Sequence, residues 1–204
     1  VETATQRKLA HAFFERSSDE EQRRRLRLGA ELPLAVSSGQ LYLQYQPKVR
    51  LGDRLVSGLE ALVRWRHPEL GIISPAEFIP IAERTGASGV LTRWVLRTSL
   101  EQLAQWNARG IHVEMAVNFS AADILDPGML QHVLEVLRDT QVPAGSLTVE
   151  ITESVLLHEP EAARRNMELL RVAGVRFSID DFGTGYSSLS QLRDLAADEL
   201  KIDQ

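Results

Sequence analysis

Residues 178–189 read SIDDFGTGYSSL, and in this stretch polar side chains follow directly on a predicted strand, as they do elsewhere in the chain. An apolar run ends in two adjacent carboxylates, Asp180 and Asp181, and a loop with glycines and hydroxyl side chains follows. This order is typical of a buried strand that runs into a loop. Two carboxylates so close together repel each other unless a cation neutralises them. The stretch therefore predicts a strand end at which the two carboxylates bind a cation.

The chain before and after this stretch alternates between strand-like and helix-like segments. Strands are predicted at residues 41–51, 54–65, 112–120, 147–154, 175–183 and from 198 onward. Helices are predicted at residues 74–86, 88–109, 127–137 and 160–173. Strands that alternate with helices of this length indicate an α/β fold with a parallel sheet or barrel.

Short polar signals indicate where two of these helices begin. Ser74 is predicted to be the N-cap of one helix, with Glu77 three residues later as its capping-box partner. Asp126 followed by Pro127 is predicted to begin another helix. The buried stripe of that second helix is predicted to be Leu130, Val133, Leu134 and Leu137.

The N-terminal part of the chain differs in composition from the rest. Residues 1–40 are rich in charge and read as helical, and Pro33 is expected to break or kink a helix there. We interpret residues 1–30 as a helical linker from an upstream module and residues 31–204 as one domain. The predicted organisation is thus a linker followed by a single α/β domain.

Composition argues against several classes of protein. The 204 residues carry a formal net charge of −5. The chain therefore has no surplus of basic residues to bind a nucleic-acid backbone, and duplex nucleic acid is not an expected partner. The chain has no cysteine, which excludes disulfides, thiolate zinc sites and cysteine nucleophiles. No apolar run reaches the length of a membrane span.

The predicted strands carry polar side chains at or near their carboxyl ends. These residues are Glu60, Asn118, Glu150, Asp180, Asp181 and Lys201. In a parallel barrel such strand ends meet at one face, where barrel enzymes have their active sites. Carboxylate and amide oxygens without histidine or cysteine suit Mg²⁺ or Mn²⁺. Adjacent aspartates suit a site for two such ions, which activates water in phosphoester hydrolysis.

Each of these residues also has a simpler interpretation. A single Glu or Asp at a strand end is commonly a helix cap or a solvated loop residue. Asn118 would then bond local backbone, Lys201 would pair with a neighbouring carboxylate, and Arg64 would meet Glu69 at the surface. A barrel lyase with carboxylates on Mg²⁺ and Lys201 as the base is a further alternative. Recurrence at equivalent strand ends favours a common site.

Several longer motifs resemble those of the EAL domain family, the bacterial phosphodiesterases of cyclic di-GMP. The sequence EAL stands at Glu60–Leu62 and is followed by VRWRHP. The other matching motifs, found within residues 30–204, are YQPKV, SPAEFIPIAERTG, VNFS, VEITES, DDFGTGYSSL and LKID. The resemblance implies a TIM-like (β/α)8 barrel whose first strand runs antiparallel to the rest. It also implies hydrolysis of one phosphodiester bond to give linear pGpG with two Mg²⁺ or Mn²⁺ ions.

The resemblance also implies roles for the metal ligands and the catalytic residues. The ligands of a first metal ion would be Glu60, Asn118, Glu150 and Asp180. Asp180 would also bridge to a second ion, with Asp181 as a further ligand of that ion. Lys201 would position the attacking water or help to deprotonate it, so Lys201, Glu60 and Asp180 form the expected catalytic set.

Substrate contacts and loop control are implied in the same way. Arg64 would contact a phosphate of the substrate, and Gln46 would lie near the nucleotide. Glu153 would anchor the loop after Asp181, to which Gly183 and Gly185 would give mobility.

The resemblance finally implies a setting for the domain. Family barrels continue past LKID through two more strands, so we expect the barrel of this chain to be incomplete at its C-terminus. We expect a cytoplasmic homodimer joined to an upstream sensory or GGDEF-type domain. An anchor in the inner membrane is compatible with such a parent protein. The main alternative is a non-catalytic cyclic di-GMP receptor. Such members typically lose residues of EAL or DDFGTG, whereas both motifs are intact here.

Overall fold

One mixed sheet of seven strands organises the computed structural model, which describes residues 16–152, 160–182 and 197–202. The strands are β1 (Leu41–Val49), β2 (Val56–His67), β3 (Gly71–Ile73), β4 (Glu114–Phe119), β5 (Leu147–Thr152), β6 (Arg176–Phe182) and β7 (Glu199–Ile202). The hydrogen-bonded order is β1-β2-β4-β5-β6-β7, and β3 pairs with β2 outside this path.

The first strand runs against the parallel strands, as the family resemblance implies. β1 is antiparallel to β2, from Leu41 opposite Trp65 to Val49 opposite Val56. β2, β4, β5, β6 and β7 are parallel neighbours. Within the described residues no pairing joins β7 back to β1, so the strands form an incomplete TIM-like barrel.

Helices connect these strands and pack against the sheet. They are α1 (Arg16–Ser37), α2 (Pro75–Thr85), α3 (Ser88–Asn107), α4 (Ala121–Leu125), α5 (Pro127–Thr140) and α6 (Pro160–Val172). Ser120 begins α4 in a reciprocal capping box with Asp123, and the Asp126 side chain accepts the Gly128 N–H to cap α5. None of the helices described is long and apolar enough to cross a membrane.

The apolar core lies between the helices and one face of the sheet. Val117, Val149 and Phe177 are fully buried neighbours on adjacent strands, with Val117 beside Val149 and Val149 beside Phe177. Leu100 of α3 is also fully buried in this layer. Removal of hydrocarbon surface from water stabilises a fold by about 25 cal/mol per Å². The face of the sheet that packs against the helices, called the outward face from here on, is therefore a source of stability.

The opposite face of the same strands is polar. Successive side chains on a strand point to opposite faces, so residues next to the buried apolar ones point inward. In register, Asn118 lies beside Glu150, Glu150 beside Ser178, and Ser178 beside Glu199. The inward face thus carries amide, carboxylate and hydroxyl groups where the outward face carries hydrocarbon.

The expectation that Pro33 breaks the helix is wrong, and a kink at Pro33 stays a prediction. Pro33 lies inside α1, which continues to Ser37. Leu28 and Leu32 on this helix are 0% and 1% exposed, so packing against the domain favours a continuous helix over the local preference of proline. The same helix crosses residue 30, and the boundary placed there stays a prediction.

Two details of the helix predictions are also wrong. Leu134 was predicted to be buried but is 44% exposed. The buried face of α5 consists instead of Met129, Leu130, Val133, Val136 and Leu137. Ser74 is confirmed as the N-cap residue of α2, but its side chain makes no capping hydrogen bond. Glu77 does not complete a capping box either, since it pairs with Arg24 of α1 at 3.1 Å. The predicted strands and the remaining helices are confirmed to within a few residues.

Candidate active site

A cluster of charged side chains on the inward face has Lys201 at its centre. The Lys201 Nζ donates hydrogen bonds to Glu60 Oε2 at 3.1 Å, to Glu150 Oε2 at 3.0 Å and to Asp180 Oδ2 at 3.0 Å. These side chains come from β2, β5, β6 and β7, so strands distant in sequence contribute to one site. Residues that the sequence singled out separately are therefore neighbours in space.

Asn118 extends this cluster across β4. Its Nδ2 donates to Glu60 Oε1 at 2.9 Å, a contact between residues 58 positions apart. The simpler interpretation, an amide that bonds local backbone, does not describe this contact. The hydrogen bond fixes one Glu60 oxygen, while Lys201 holds the other.

Glu60 reaches the cluster from an unexpected place in its strand. The sequence placed it near the carboxyl end of a strand, but β2 runs from Val56 to His67, so Glu60 lies near its start. β2 is long because it continues past Glu60 to pair with β1 and with β3. The register pairs Glu60 with Ala116, two residues before Asn118, so both side chains still face inward.

Sequence analysis missed Lys48, a further member of the cluster. Lys48 Nζ on β1 donates to Glu150 Oε1 at 2.8 Å and to both oxygens of Glu199 at 3.1 Å. A signal was present, because Gln44, Gln46 and Lys48 alternate with Leu43 and Tyr45 along β1. That alternation indicates a row of inward polar side chains, of which only Gln46 was predicted to belong to the site.

Burial and charge together shift the pKa values in this cluster. Burial raises the pKa of Glu150, the hydrogen bond from Lys48 opposes that shift, and the nearby charge of Glu60 reinforces it. For Lys201, burial favours the neutral amine, but the carboxylates of Glu150, Asp180 and Glu60 together outweigh it and raise its pKa. Lys201 is accordingly a protonated cation at neutral pH.

Asp181 lies beside the cluster in an irregular part of β6. The register between β6 and β7 shifts between Ile179 and Phe182, which marks a bulge at the two aspartates. Asp181 has a positive φ of 56°, and its backbone N–H donates to Asp180 Oδ1 at 3.0 Å. A bulge releases adjacent residues from strict alternation and re-aims their side chains. The structure places Asp181, exposed, next to Asp180 at the edge of the site.

The two predicted substrate-contacting residues lie on the same inward face. Gln46 is exposed and directly opposite Glu60 in the β1–β2 register. Arg64 lies four residues after Glu60 on β2, opposite Tyr42, and its Nε is 2.8 Å from Gln44 Oε1. A cavity of about 570 Å³ has Arg64, Asn118 and Thr152 among its lining residues, together with side chains of α2, α3 and α4. This volume is in the range of small-molecule sites.

The predicted loop anchor Glu153 lies outside the described residues, as do Gly183 and Gly185. Their proposed roles therefore stay predictions from the sequence.

The cluster has the donor chemistry of a site for hard cations. Within the described ranges, no three acidic or histidine side chains are arranged to hold a metal ion directly. Instead, three carboxylates converge on the ammonium group of Lys201, which is the cation that they surround in this structure. Four carboxylates against two lysines leave a formal charge of −2 on Glu60, Glu150, Asp180, Glu199, Lys48 and Lys201. Carboxylate oxygens with a surplus of negative charge fit Mg²⁺ or Mn²⁺.

Comparisons with known proteins match the whole of this framework. The EAL domain family model matches residues 30–204. The cyclic di-GMP phosphodiesterase PA2567 of Pseudomonas aeruginosa is 40% identical over 205 residues, which cover 100% of this chain and 35% of that protein. A bifunctional diguanylate cyclase/cyclic di-GMP phosphodiesterase of the same organism, MucR, is 40% identical over 196 residues, or 95% of this chain and 28% of that protein.

A solved structure agrees with the sequence relatives. The MucR phosphodiesterase in its c-di-GMP complex matches with a TM-score of 0.82 and 40% identity, over 87% of this chain and 72% of that chain. The chain spans between a quarter and about a third of the length of these two curated relatives.

Proposed function

The chain belongs to the EAL domain family, and from this membership we propose that it hydrolyses cyclic di-GMP to linear pGpG. A relative named as a cyclic di-GMP phosphodiesterase and a structure of the MucR phosphodiesterase with c-di-GMP support the substrate. The observation that carries the proposal is the inward cluster in which Glu60, Glu150 and Asp180 surround Lys201. Asn118, which bonds Glu60, also lines the cavity. In the reaction, water adds to one phosphorus, a P–O bond to the ribose breaks, and the leaving oxygen takes up a proton.

We propose that the inward cluster holds two Mg²⁺ or Mn²⁺ ions. Glu60, Asn118, Glu150 and Asp180 would hold one ion, and Asp180 with Asp181 would hold the other. When bound, such ions lower the pKa of water and stabilise charge on the phosphate oxygens. The oxygen donor set of these five side chains supports the choice of hard cations.

Lys201 contributes positive charge and hydrogen bonds in this proposal. Its ammonium group donates hydrogen bonds and is suited to contact a water or a phosphate oxygen. Its three carboxylate partners fix Nζ at the centre of the cluster. We therefore propose that Lys201 positions the attacking water or helps to deprotonate it.

Arg64 and Gln46 are proposed to bind the substrate. A guanidinium group is planar and always charged, and it suits contact with phosphate oxygens. Arg64 lines the cavity, and Gln46 lies opposite Glu60, so both flank the position at which a phosphate would meet the cluster. The hydrogen bond from Arg64 to Gln44 orients the guanidinium before substrate binds.

The setting of the domain is proposed from the same relationship. A bifunctional relative supports an upstream GGDEF-type or sensory domain in the parent protein. A homodimer and a cytoplasmic location are further proposals that rest on the family resemblance. Family membership removes the barrel lyase from consideration, and a non-catalytic receptor is the competing outcome of the test below.

The test is an assay for pGpG release from cyclic di-GMP by the purified full-length protein. We expect pGpG as the product in Mg²⁺ or Mn²⁺ and none in EDTA, and we expect Glu60→Ala to abolish its release. Calorimetric titration of cyclic di-GMP into the same preparations separates the alternatives. Binding without pGpG release in either metal would show a receptor in place of an enzyme, and absence of both would contradict the assigned substrate.

A further inference from the structure

The contacts of Lys48 connect the fully buried Glu150 to the two end strands of the open sheet. Glu150 is 0% exposed, and its two oxygens are divided between two ammonium groups. Lys48 holds Oε1 at 2.8 Å and Lys201 holds Oε2 at 3.0 Å. A carboxylate held at both oxygens has a fixed orientation, whereas one held at a single oxygen can rotate about its side-chain bonds.

We propose that Lys48 is a positioning residue that fixes Glu150 for cation binding, an inference that rests on the proposed metal-dependent function. Lys48 approaches from β1 and binds the Glu150 oxygen that Lys201 does not hold. Groups that hold a metal ligand from behind commonly change metal affinity by 10-fold to 100-fold when they are removed. Lys48 would act on the ion through Glu150, without contact to the substrate.

Glu199 holds Lys48 in place from the other side. Both Glu199 oxygens lie 3.1 Å from Lys48 Nζ, and Glu199 stands two residues before Lys201 on β7. Lys48 therefore links β1, β5 and β7, the strands that carry Gln46, Glu150 and Lys201. The Lys48 side chain is 25% exposed, so most of this linkage is shielded from water.

A purely electrostatic view predicts the opposite effect of removing Lys48. A positive charge near a cation site repels the incoming ion, so its loss would make metal binding tighter. A positioning role predicts weaker binding, because Glu150 loses a fixed geometry. The sign of the change in metal affinity therefore distinguishes the two views.

The experiment is a titration of Mn²⁺ into the full-length protein, with free Mn²⁺ measured by electron paramagnetic resonance. We expect Lys48→Met to weaken Mn²⁺ binding about tenfold. The matched control is Arg176→Met, which also removes an inward cation paired with a carboxylate, Glu114, but one that does not contact the Lys201 cluster. Its Mn²⁺ affinity is expected to equal that of the wild type.

Equal or tighter Mn²⁺ binding by folded Lys48→Met would overturn the proposal. Where Lys48→Met does not fold, as judged by circular dichroism and thermal unfolding without metal, Glu199→Gln carries the test. This variant leaves Lys48 on Glu150 but loosens its anchor, and we expect Mn²⁺ binding about threefold weaker than for Asp198→Asn, which removes a neighbouring carboxylate that bonds the Phe177 backbone and not Lys48. Unchanged binding would again overturn the proposal.

The readout separates this proposal from the proposed function. Wild-type protein that binds Mn²⁺ but releases no pGpG would contradict the proposed phosphodiesterase activity. In that case the role of Lys48 would still be decided by comparing the Mn²⁺ affinities of the wild type and Lys48→Met. Wild-type protein that releases pGpG, with a Lys48→Met affinity equal to its own, would leave the function intact and remove the positioning role.

Discussion

Adjacent residues of β5 show how differently the two faces of the sheet are used. Val149 and Glu150 are both fully buried, and they point to opposite faces. Val149 lies among hydrocarbon side chains, and its burial stabilises the fold. Glu150 lies among lysines and other carboxylates, and burial of its charge costs several kcal/mol that its partners must offset.

The difference teaches where to look for function in this fold. A buried carboxylate is weak evidence for stability, since a well-packed apolar residue of similar size often stabilises a fold as well or better. Stability is thus expected to depend on the outward face and activity on the inward face. Substitutions on one face should leave the property of the other face nearly unchanged.

Glu60→Ala is expected to give the largest effect on activity. It removes one carboxylate from the cluster but leaves Lys201 with Glu150 and Asp180, so the domain remains folded. We expect kcat/KM for cyclic di-GMP to fall about 1000-fold, or about 4 kcal/mol, with a change below about 1 kcal/mol in the free energy of unfolding. Rates of pGpG release and urea denaturation measure the two quantities.

The matched control for Glu60→Ala is Glu114→Ala. Glu114 is also an inward carboxylate, but its partner is Arg176 at the other end of the strands. We expect its kcat/KM to stay within about threefold of the wild type. A comparable loss in both variants would mean that the inward charges act as a general scaffold and not as a site.

Leu100→Ala tests the outward layer from the helix side. Leu100 is fully buried on α3, so its truncation leaves a cavity in the apolar core. We expect about 3 kcal/mol of destabilisation in urea, with unchanged kcat for the molecules that are folded. Val90→Ala on the same helix, where Val90 is 47% exposed, should change stability by less than about 0.5 kcal/mol. A fall in kcat for folded Leu100→Ala would show that the two faces are coupled.

Lys201→Ala is expected to separate turnover from substrate binding. Its proposed role concerns the attacking water, so we expect kcat to fall about 100-fold while KM changes less than about threefold. Steady-state kinetics at saturating Mg²⁺ give both constants. A large rise in KM with unchanged kcat would assign Lys201 to substrate binding instead.

Arg64→Ala is expected to have the smallest of these effects and the opposite kinetic pattern. Loss of a phosphate contact should raise KM about tenfold, or about 1.4 kcal/mol, with kcat nearly retained. Arg66→Ala is the control, because Arg66 occupies the next inward position of β2 but stacks on Tyr42, with its guanidinium carbon 5.2 Å from the ring centre. Equal KM values for both variants would remove Arg64 from the substrate site.

Much of this arrangement was predictable because polar residues interrupt apolar strands. Asn118 and Glu150 stand out in the sequence for that reason, and the structure brings both to the cluster around Lys201. Glu60, Asp180 and Lys201 lie on strands parallel to theirs, and the inward side chains of parallel barrel strands face a common centre.

Other parts depended on contacts that a sequence does not reveal. Lys48 became significant only when the antiparallel register placed β1 beside β2 and brought its amine to Glu150 and Glu199. Pro33 and Leu134 were misjudged because tertiary packing decides whether a proline is accommodated and which helix face is buried. Short elements such as β3 and α4 carry too few residues to show a periodic pattern.

Ile179 and Asp180, adjacent on β6, offer the most direct test that activity and stability depend on opposite faces. Ile179 is fully buried in the apolar layer, whereas Asp180 accepts a hydrogen bond from Lys201. Asp180→Asn should lower kcat at least about 100-fold and change the free energy of unfolding by less than about 1 kcal/mol. Ile179→Ala should lose about 3 kcal/mol of stability while kcat of the folded protein stays within about threefold. Near-normal turnover by Asp180→Asn, or an equal fall in kcat for folded Ile179→Ala, would contradict the division between the two faces.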